Sequence, residues 1–140
     1  MFKKILLAYD GSQGAERALA AGIELAKLQG AELVALAVEE RLPRFSGTID
    51  EVQEEKEFAD QQYHRLLDDA QAQSRAAGVQ LKTLMRPGHP AQTIIKVAKE
   101  GKFDLILVGH SGLSGVWAAF LGTTAEKVSR HAPCSVLIVR

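Results

Sequence analysis

The stretch ILLAYDGSQGAERALAAGIELAKLQG, residues 5–30, changes period in its middle, and that change decides the fold. Ile5 to Tyr9 is a continuous apolar run stopped by Asp10-Gly11-Ser12, which is how a strand buried on both faces reads. Beyond it, Ala15, Ala18, Leu19, Gly22, Ile23 and Ala26 fall at helical spacing, with Ser12 placed to cap the helix and Gly30 placed to end it in a left-handed turn. The alternation repeats outward from there. Glu32 to Val38 reads as a strand, about Asp50 to Ala77 as a helix stopped by Gly78, and Val79 to Met85 as a strand. Pro90 suits the first turn of a helix carrying Ala91, Ile94, Ile95 and Ala98, closed by Gly101. Phe103 to Val108 is a strand, about Thr124 to His131 a last helix ending before Pro133, and Cys134 to Val139 a fifth strand. Glu39 to Thr48, with Pro43 and Gly47, lacks periodicity and reads as a loop. Five strands alternating with four helices imply right-handed crossovers and an α/β fold: an open parallel five-stranded sheet with helices on both faces.

Composition narrows the function classes. A chain of 140 residues with 46% hydrophobic content fits one domain, 1–140, with a core of its own. Its 17 basic and 17 acidic residues cancel, so no net field draws it to nucleic-acid phosphate or anionic lipid, and neither partner is expected. The single cysteine, Cys134, cannot form an intramolecular disulfide and sits in an apolar run, consistent with a reducing compartment. Lys3-Lys4 before Ile5-Leu6-Leu7-Ala8 imitates the start of an export signal, but Asp10 ends the apolar run short of the roughly 7–15 residues required. No apolar stretch approaches the ~20 residues that cross a bilayer, so a cytoplasmic location away from membranes is expected.

In an open α/β sheet, ligands bind beyond the carboxyl ends of the strands where the strand order reverses. The strands ending at Tyr9 and Val108 are the natural central pair, and their exits carry Asp10-Gly11-Ser12 and Gly109-His110-Ser111-Gly112. The second exit continues to Gly122-Thr123-Thr124. Glycines without a Cβ let backbone N–H groups approach a phosphate, and a helix N-terminus following them favours an anion. The alternative is that the glycines only turn the chain and a threonine only caps the helix. No glycine is followed by Lys and then Ser or Thr in the P-loop frame, and the first exit gives Gly11-Ser-Gln-Gly14 rather than a dinucleotide fingerprint. A nucleophile elbow at Ser111 would need a glycine where Leu113 stands.

With Gly109, Gly112, Gly122 and Thr123 spaced as G-x2-G-x9-G-[ST], the chain resembles the universal stress protein family, in its ATP-binding branch. The opening strand ending in Asp10-Gly11-Ser12, the Gly88-His-Pro90-Ala91 segment and the closing Pro133 to Val139 strand extend that resemblance over essentially the whole chain. It implies a Rossmann-like sheet of order 3-2-1-4-5 binding ATP, or AMP or ADP, between the first and fourth strands. It further implies that Asp10, with Gly11 and Ser12 beside it, meets the ribose or adenine and that Val38 offers backbone polar groups and an apolar wall to the purine. Gly109 to Thr123, with Thr124 following, would hold the phosphates. Glu39-Glu40 departs from the His or apolar residue of many relatives and sets two carboxylates near the mouth, where they disfavour a triphosphate.

Asp10 could cap the first helix together with Ser12, but a carboxylate leaving a central strand beside a glycine cradle better suits a ribose, whose hydroxyls donate to it. His110 lies inside the cradle and stays open to two readings, a phosphate contact or a surface histidine. His64, His89 and His131 show no metal spacing, so Mg²⁺ would arrive only with bound phosphates. Two functions are compatible with these residues. One is a nucleotide-binding regulatory or sensor module of the stress response with at most slow ATP hydrolysis, since no base or arginine is visibly placed to activate water. The other is a nucleotide-independent dimeric interaction protein of the same fold. Residues 134–139 form an apolar strand without an edge-protecting residue, which at a sheet edge would pair with a second copy. Similarity to the family points to that same homodimer, joined at least partly through this strand; the apolar residues Val116 to Leu121 are expected as a secondary contributor.

Overall fold

The computed structural model describes residues 1–40, 48–111 and 120–140. Its elements run β1 (Lys4–Ala8), α1 (Gln13–Gln29), β2 (Glu32–Glu39), α2 (Ile49–Ala76), β3 (Leu81–Pro87), α3 (Pro90–Glu100), β4 (Leu105–Gly109), α4 (Thr123–His131) and β5 (Ser135–Val139). The five strands form one parallel sheet in the order β3-β2-β1-β4-β5.

Alternation along each strand divides the core into two layers. Ile5, Leu7, Leu33, Ala35, Leu105 and Leu107 face α1 and α2, whose Ala18, Leu19, Leu67 and Ala70 pack on them. Leu6, Val34, Leu36, Ile106 and Val108 face the opposite way, onto Ala91, Ile94 and Ala98 of α3 and Val128 of α4. β1, β2 and β4 are covered on both faces, which is why they read as unbroken apolar runs.

The punctuation residues do what their chemistry allows. The Ser12 hydroxyl accepts from the Ala15 N–H at 3.2 Å, and Gly30 ends α1 at φ 64°. Thr48 and Glu51 form a reciprocal capping box at the start of α2. After α3 the left-handed residue is Lys102, at φ 55°, while Gly101 keeps a right-handed conformation. A Cβ on Gly101 would strike the Phe103 ring, so this glycine answers a packing demand rather than a dihedral one.

Three boundaries differ from the sequence expectation for physical reasons. β3 starts at Leu81 rather than Val79 because Gly78 and Val79 donate to the Arg75 and Ser74 carbonyls and finish α2. β4 starts at Leu105 because the Phe103 N–H still donates to the Ala98 carbonyl of α3 at 3.0 Å, and the Asp104 carboxylate beside it clamps the Lys3 and Lys4 N–H groups at 2.8 and 3.1 Å. Glu39, expected in a loop, closes β2, its carbonyl accepting from Gly88 at 3.0 Å. The rest of that expected loop, apart from Glu40 and Thr48, lies outside the described residues.

Candidate functional site

β1 and β4 lie side by side, paired from Ile5↔Leu105 to Leu7↔Leu107. The chain leaves β1 toward β2 on one side and leaves β4 toward β5 on the other, so their exits open a crevice at the switch in strand order. A cleft of about 540 Å³ occupies that place. Ala8, Leu36, Val38 and Val108 make its apolar floor, Pro90 and Ile94 approach from α3, and Tyr63 and Glu40 stand on the α2 side. The far end is polar backbone: Gly109, His110, Ser111, Gly122, Thr123 and Thr124.

That far end is held open by two glycines in contact. A Cβ on Gly109 would fall 2.6 Å from the Gly14 carbonyl carbon, and one on Gly14 would meet the Ser111 carbonyl oxygen. Backbone therefore touches backbone where α1 begins and β4 ends. The His110 N–H donates to Val139 at 2.8 Å, and the His110 carbonyl accepts from Gly122 at 2.8 Å, fixing the exit of β4 between β5 and α4.

Gly122 is the N-cap of α4, and no side chain caps the first turn. Its own N–H is used by His110, which leaves those of Thr123, Thr124 and Ala125 without acceptors among the described residues. Three donors at the positive end of a helix dipole, facing a cleft, are an arrangement that favours an anion. Neither threonine serves as the cap.

At the near end, the Asp10 carboxylate accepts from the Ser12 N–H through Oδ1 at 2.9 Å. Its side chain is exposed, and Oδ2 has no partner among the described residues. Gly11 makes the turn at φ 78° against Leu66 and does not line the cleft. The β1 ladder on β2 ends with the Tyr9 N–H donating to the Leu36 carbonyl at 2.9 Å. Backbone groups alternate sides along a strand, so the N–H and C=O of Val38 turn toward the space that β1 vacates.

The ionisable groups follow the same division. Tyr9, 3% exposed, donates to Glu16, whose other oxygen accepts from Gln73 at 3.1 Å. Burial, then that hydrogen bond, pushes the Tyr9 phenol far above its ordinary range, and the group stays locked and neutral. The Tyr63 phenol is also pushed up, first by burial; the Glu40 backbone opposes this, and the carboxylates of Glu39, Glu40 and Asp10 add to it. Beside the two tyrosines, the described lining includes the carboxylates of Asp10 and Glu40 and the His110 imidazole, and no Lys or Arg joins them.

Of the residues expected at the site, Asp10, Ser12, Val38, Gly109, His110, Gly122, Thr123 and Thr124 line one cleft. Gly112 lies outside the described residues. Gly14 and Tyr63 were not expected there. Gly14 carried a signal, as the second glycine of the β1 exit, whereas Tyr63 sits mid-helix and reads simply as a face residue beside Leu66 and Leu67.

The family model "Universal stress protein family" matches residues 1–140. Universal stress protein YxiE of Bacillus subtilis (strain 168) is 38% identical over 148 residues, covering 100% of both chains. The solved universal stress protein UspA from Lactobacillus plantarum superposes with a TM-score of 0.84 at 29% identity, covering 99% of this chain and 98% of that one. Two more distant structures share the fold: a universal stress protein in complex with cAMP, at 24% identity and TM-score 0.74, and the Arabidopsis thaliana protein At3g01520 with AMP bound, at 17% and 0.73. Over its whole length, then, this chain belongs to the universal stress protein family.

Proposed function

We propose that this chain is a single-domain adenine-nucleotide-binding module, a cytoplasmic stress-response sensor or regulator with at most slow ATP hydrolysis. The observation that carries it is the polarity of the cleft. Three uncapped N–H groups of α4 face one end, and the Val38 donor–acceptor pair with an apolar floor lies at the other. A nucleotide has the same polarity, with phosphate at one end and a flat hydrogen-bonding base at the other. That more distant members of the fold are solved with cAMP and AMP supports the reading. ATP would bring Mg²⁺ on its phosphates.

In this arrangement the free oxygen of Asp10 accepts from the ribose hydroxyls. Asp10→Ala is expected to weaken AMP and ATP binding by about 1–3 kcal/mol, the cost of losing hydrogen bonds to a charged partner. Isothermal titration reads the loss, and a thermal melt of the unliganded variant checks the fold. Unaltered affinity would leave Asp10 the turn residue that its bond to Ser12 already makes it. Mass spectrometry of ligand released from freshly purified, denatured protein tests the function directly, with AMP or ATP the expected species.

We further propose that the protein is a homodimer joined through β5. This strand is an edge, with Leu137 42% exposed. Val139 faces β4, its carbonyl accepting from His110, so by alternation the N–H and C=O of Val136 and Ile138 face outward. A two-fold axis beside the strand pairs these groups with their copies. Of the expected secondary contributor, Val116 to Ala119 lie outside the described residues, while exposed Phe120 and Leu121 lie within them. Light scattering after size exclusion is expected to give twice the monomer mass, and hydrogen exchange to protect the Val136 and Ile138 amides. A monomer at high micromolar concentration, or free exchange at both amides, counts against this interface.

A further inference from the structure

Two aromatic side chains line the cleft among the described residues, and only Tyr63, whose phenol meets the Glu40 backbone, keeps its ring partly exposed to a ligand. Tyr9 is buried and tied to Glu16. Tyr63 is half-buried and lies one turn before Leu67, which is locked in the core, so its position is set by the anchored half of α2. α2 covers one face of the sheet and α3 the other. Tyr63 and the pair Pro90 and Ile94 therefore approach the end of β2 from opposite faces, with Val38 between them. The carboxylates of Asp10, Glu39 and Glu40 surround this end closely enough to act on the Tyr63 phenol, and they repel an anion there. The uncharged part of a ligand must occupy it.

We propose that Tyr63 is the base-binding aromatic of this cleft, closing its neutral end against a flat heteroaromatic base opposite Pro90 and Ile94. The proposal rests on the nucleotide reading given above and adds a residue and a role to it. Contact between an aromatic ring and a base strengthens binding by about tenfold, because the base presents its face whatever its edge pattern. Such a contact acts on the base and leaves the phosphate alone.

The test compares AMP with ribose 5-phosphate, which keeps the sugar and phosphate and lacks the base. Isothermal titration, with competition against AMP for the weaker ligand, is run on the full chain and on Tyr63→Ala, Tyr63→Leu and Tyr63→Phe. Tyr63→Ala and Tyr63→Leu are expected to lower AMP affinity about tenfold and to leave ribose 5-phosphate unchanged, while Tyr63→Phe stays within about twofold of the original. Intermolecular NOEs from the AMP H2 or H8 proton to the Tyr63 ring are expected in the unmodified protein. A structural role would lower both ligands together. If AMP binds the unmodified chain but Tyr63→Leu keeps its affinity within about twofold, or loses both ligands equally, the proposal is overturned and the nucleotide reading stands. If the unmodified chain binds no AMP, both fall.

Discussion

Gly109→Ala is expected to destabilise the protein by about 3 kcal/mol, the upper part of the range for forcing extra atoms into packed structure. The new Cβ would lie 2.6 Å from the Gly14 carbonyl carbon, 2.7 Å from its oxygen and 3.0 Å from its Cα. All three are backbone atoms at the start of α1, and none can swing aside as a side-chain tip would. Relief requires α1 to lift from β4, which loosens Ala15, Ala18 and Leu19 in the core layer they share with Leu105 and Leu107. Urea unfolding should show a lower midpoint with an unchanged slope. Gly14→Ala strains the same contact from the other side, so the double variant is expected to cost less than the sum of the two. A Gly109→Ala protein within 0.5 kcal/mol of the original, on the order of an ordinary surface change, would mean that the two backbones are not in contact in solution.

Gly122→Val should do the opposite, sparing the fold and removing the ligand. Gly122 has φ −63° and ψ 152°, a conformation open to any residue. Its Cβ would lie 3.3 Å from the His110 carbonyl oxygen and 3.6 Å from the Ser111 Cα, tight but within reach of a small adjustment. The branched methyl groups then have to occupy the space before the Thr123, Thr124 and Ala125 N–H groups, where phosphate oxygens would sit. A loss of about 100-fold in AMP and ATP affinity, near 3 kcal/mol, is expected by titration, with the melting temperature little changed. Gly122→Ala should fall between the two. Full affinity in a folded Gly122→Val protein would place the phosphates elsewhere.

What was legible in the sequence is what short-range chemistry controls. The apolar runs of β1 and β4 announced burial on both faces, and Ser12, Gly30 and Pro90 sit where capping and turn chemistry require. β3 was read two residues early because an edge strand carrying Lys82, Thr83 and Arg86 has no apolar run to mark its start, while Val79 before it does look apolar. At the site, strand exits and the glycine-rich segment could be found because each is local. The contact of Gly14 with Gly109 and the approach of Tyr63 to Val38 depend on how helices from distant parts of the chain are laid on the sheet. No periodicity encodes that. The order 3-2-1-4-5 came through resemblance to the family, and the sheet has it.

The Asp104 clamp on Lys3 and Lys4 joins residues about 100 positions apart, and behind it lies the pairing of the first strand with the fourth. On a ribosome adding roughly 5–20 residues per second, β1 therefore spends about 5–20 seconds without its second neighbour. During that time Ile5, Leu6 and Leu7, fully buried in the finished sheet, have one open hydrogen-bonding edge. A strand buried on both faces is thus also the one that waits longest for its partner, and aggregation through that open edge is expected of partly made chains rather than of the finished sheet.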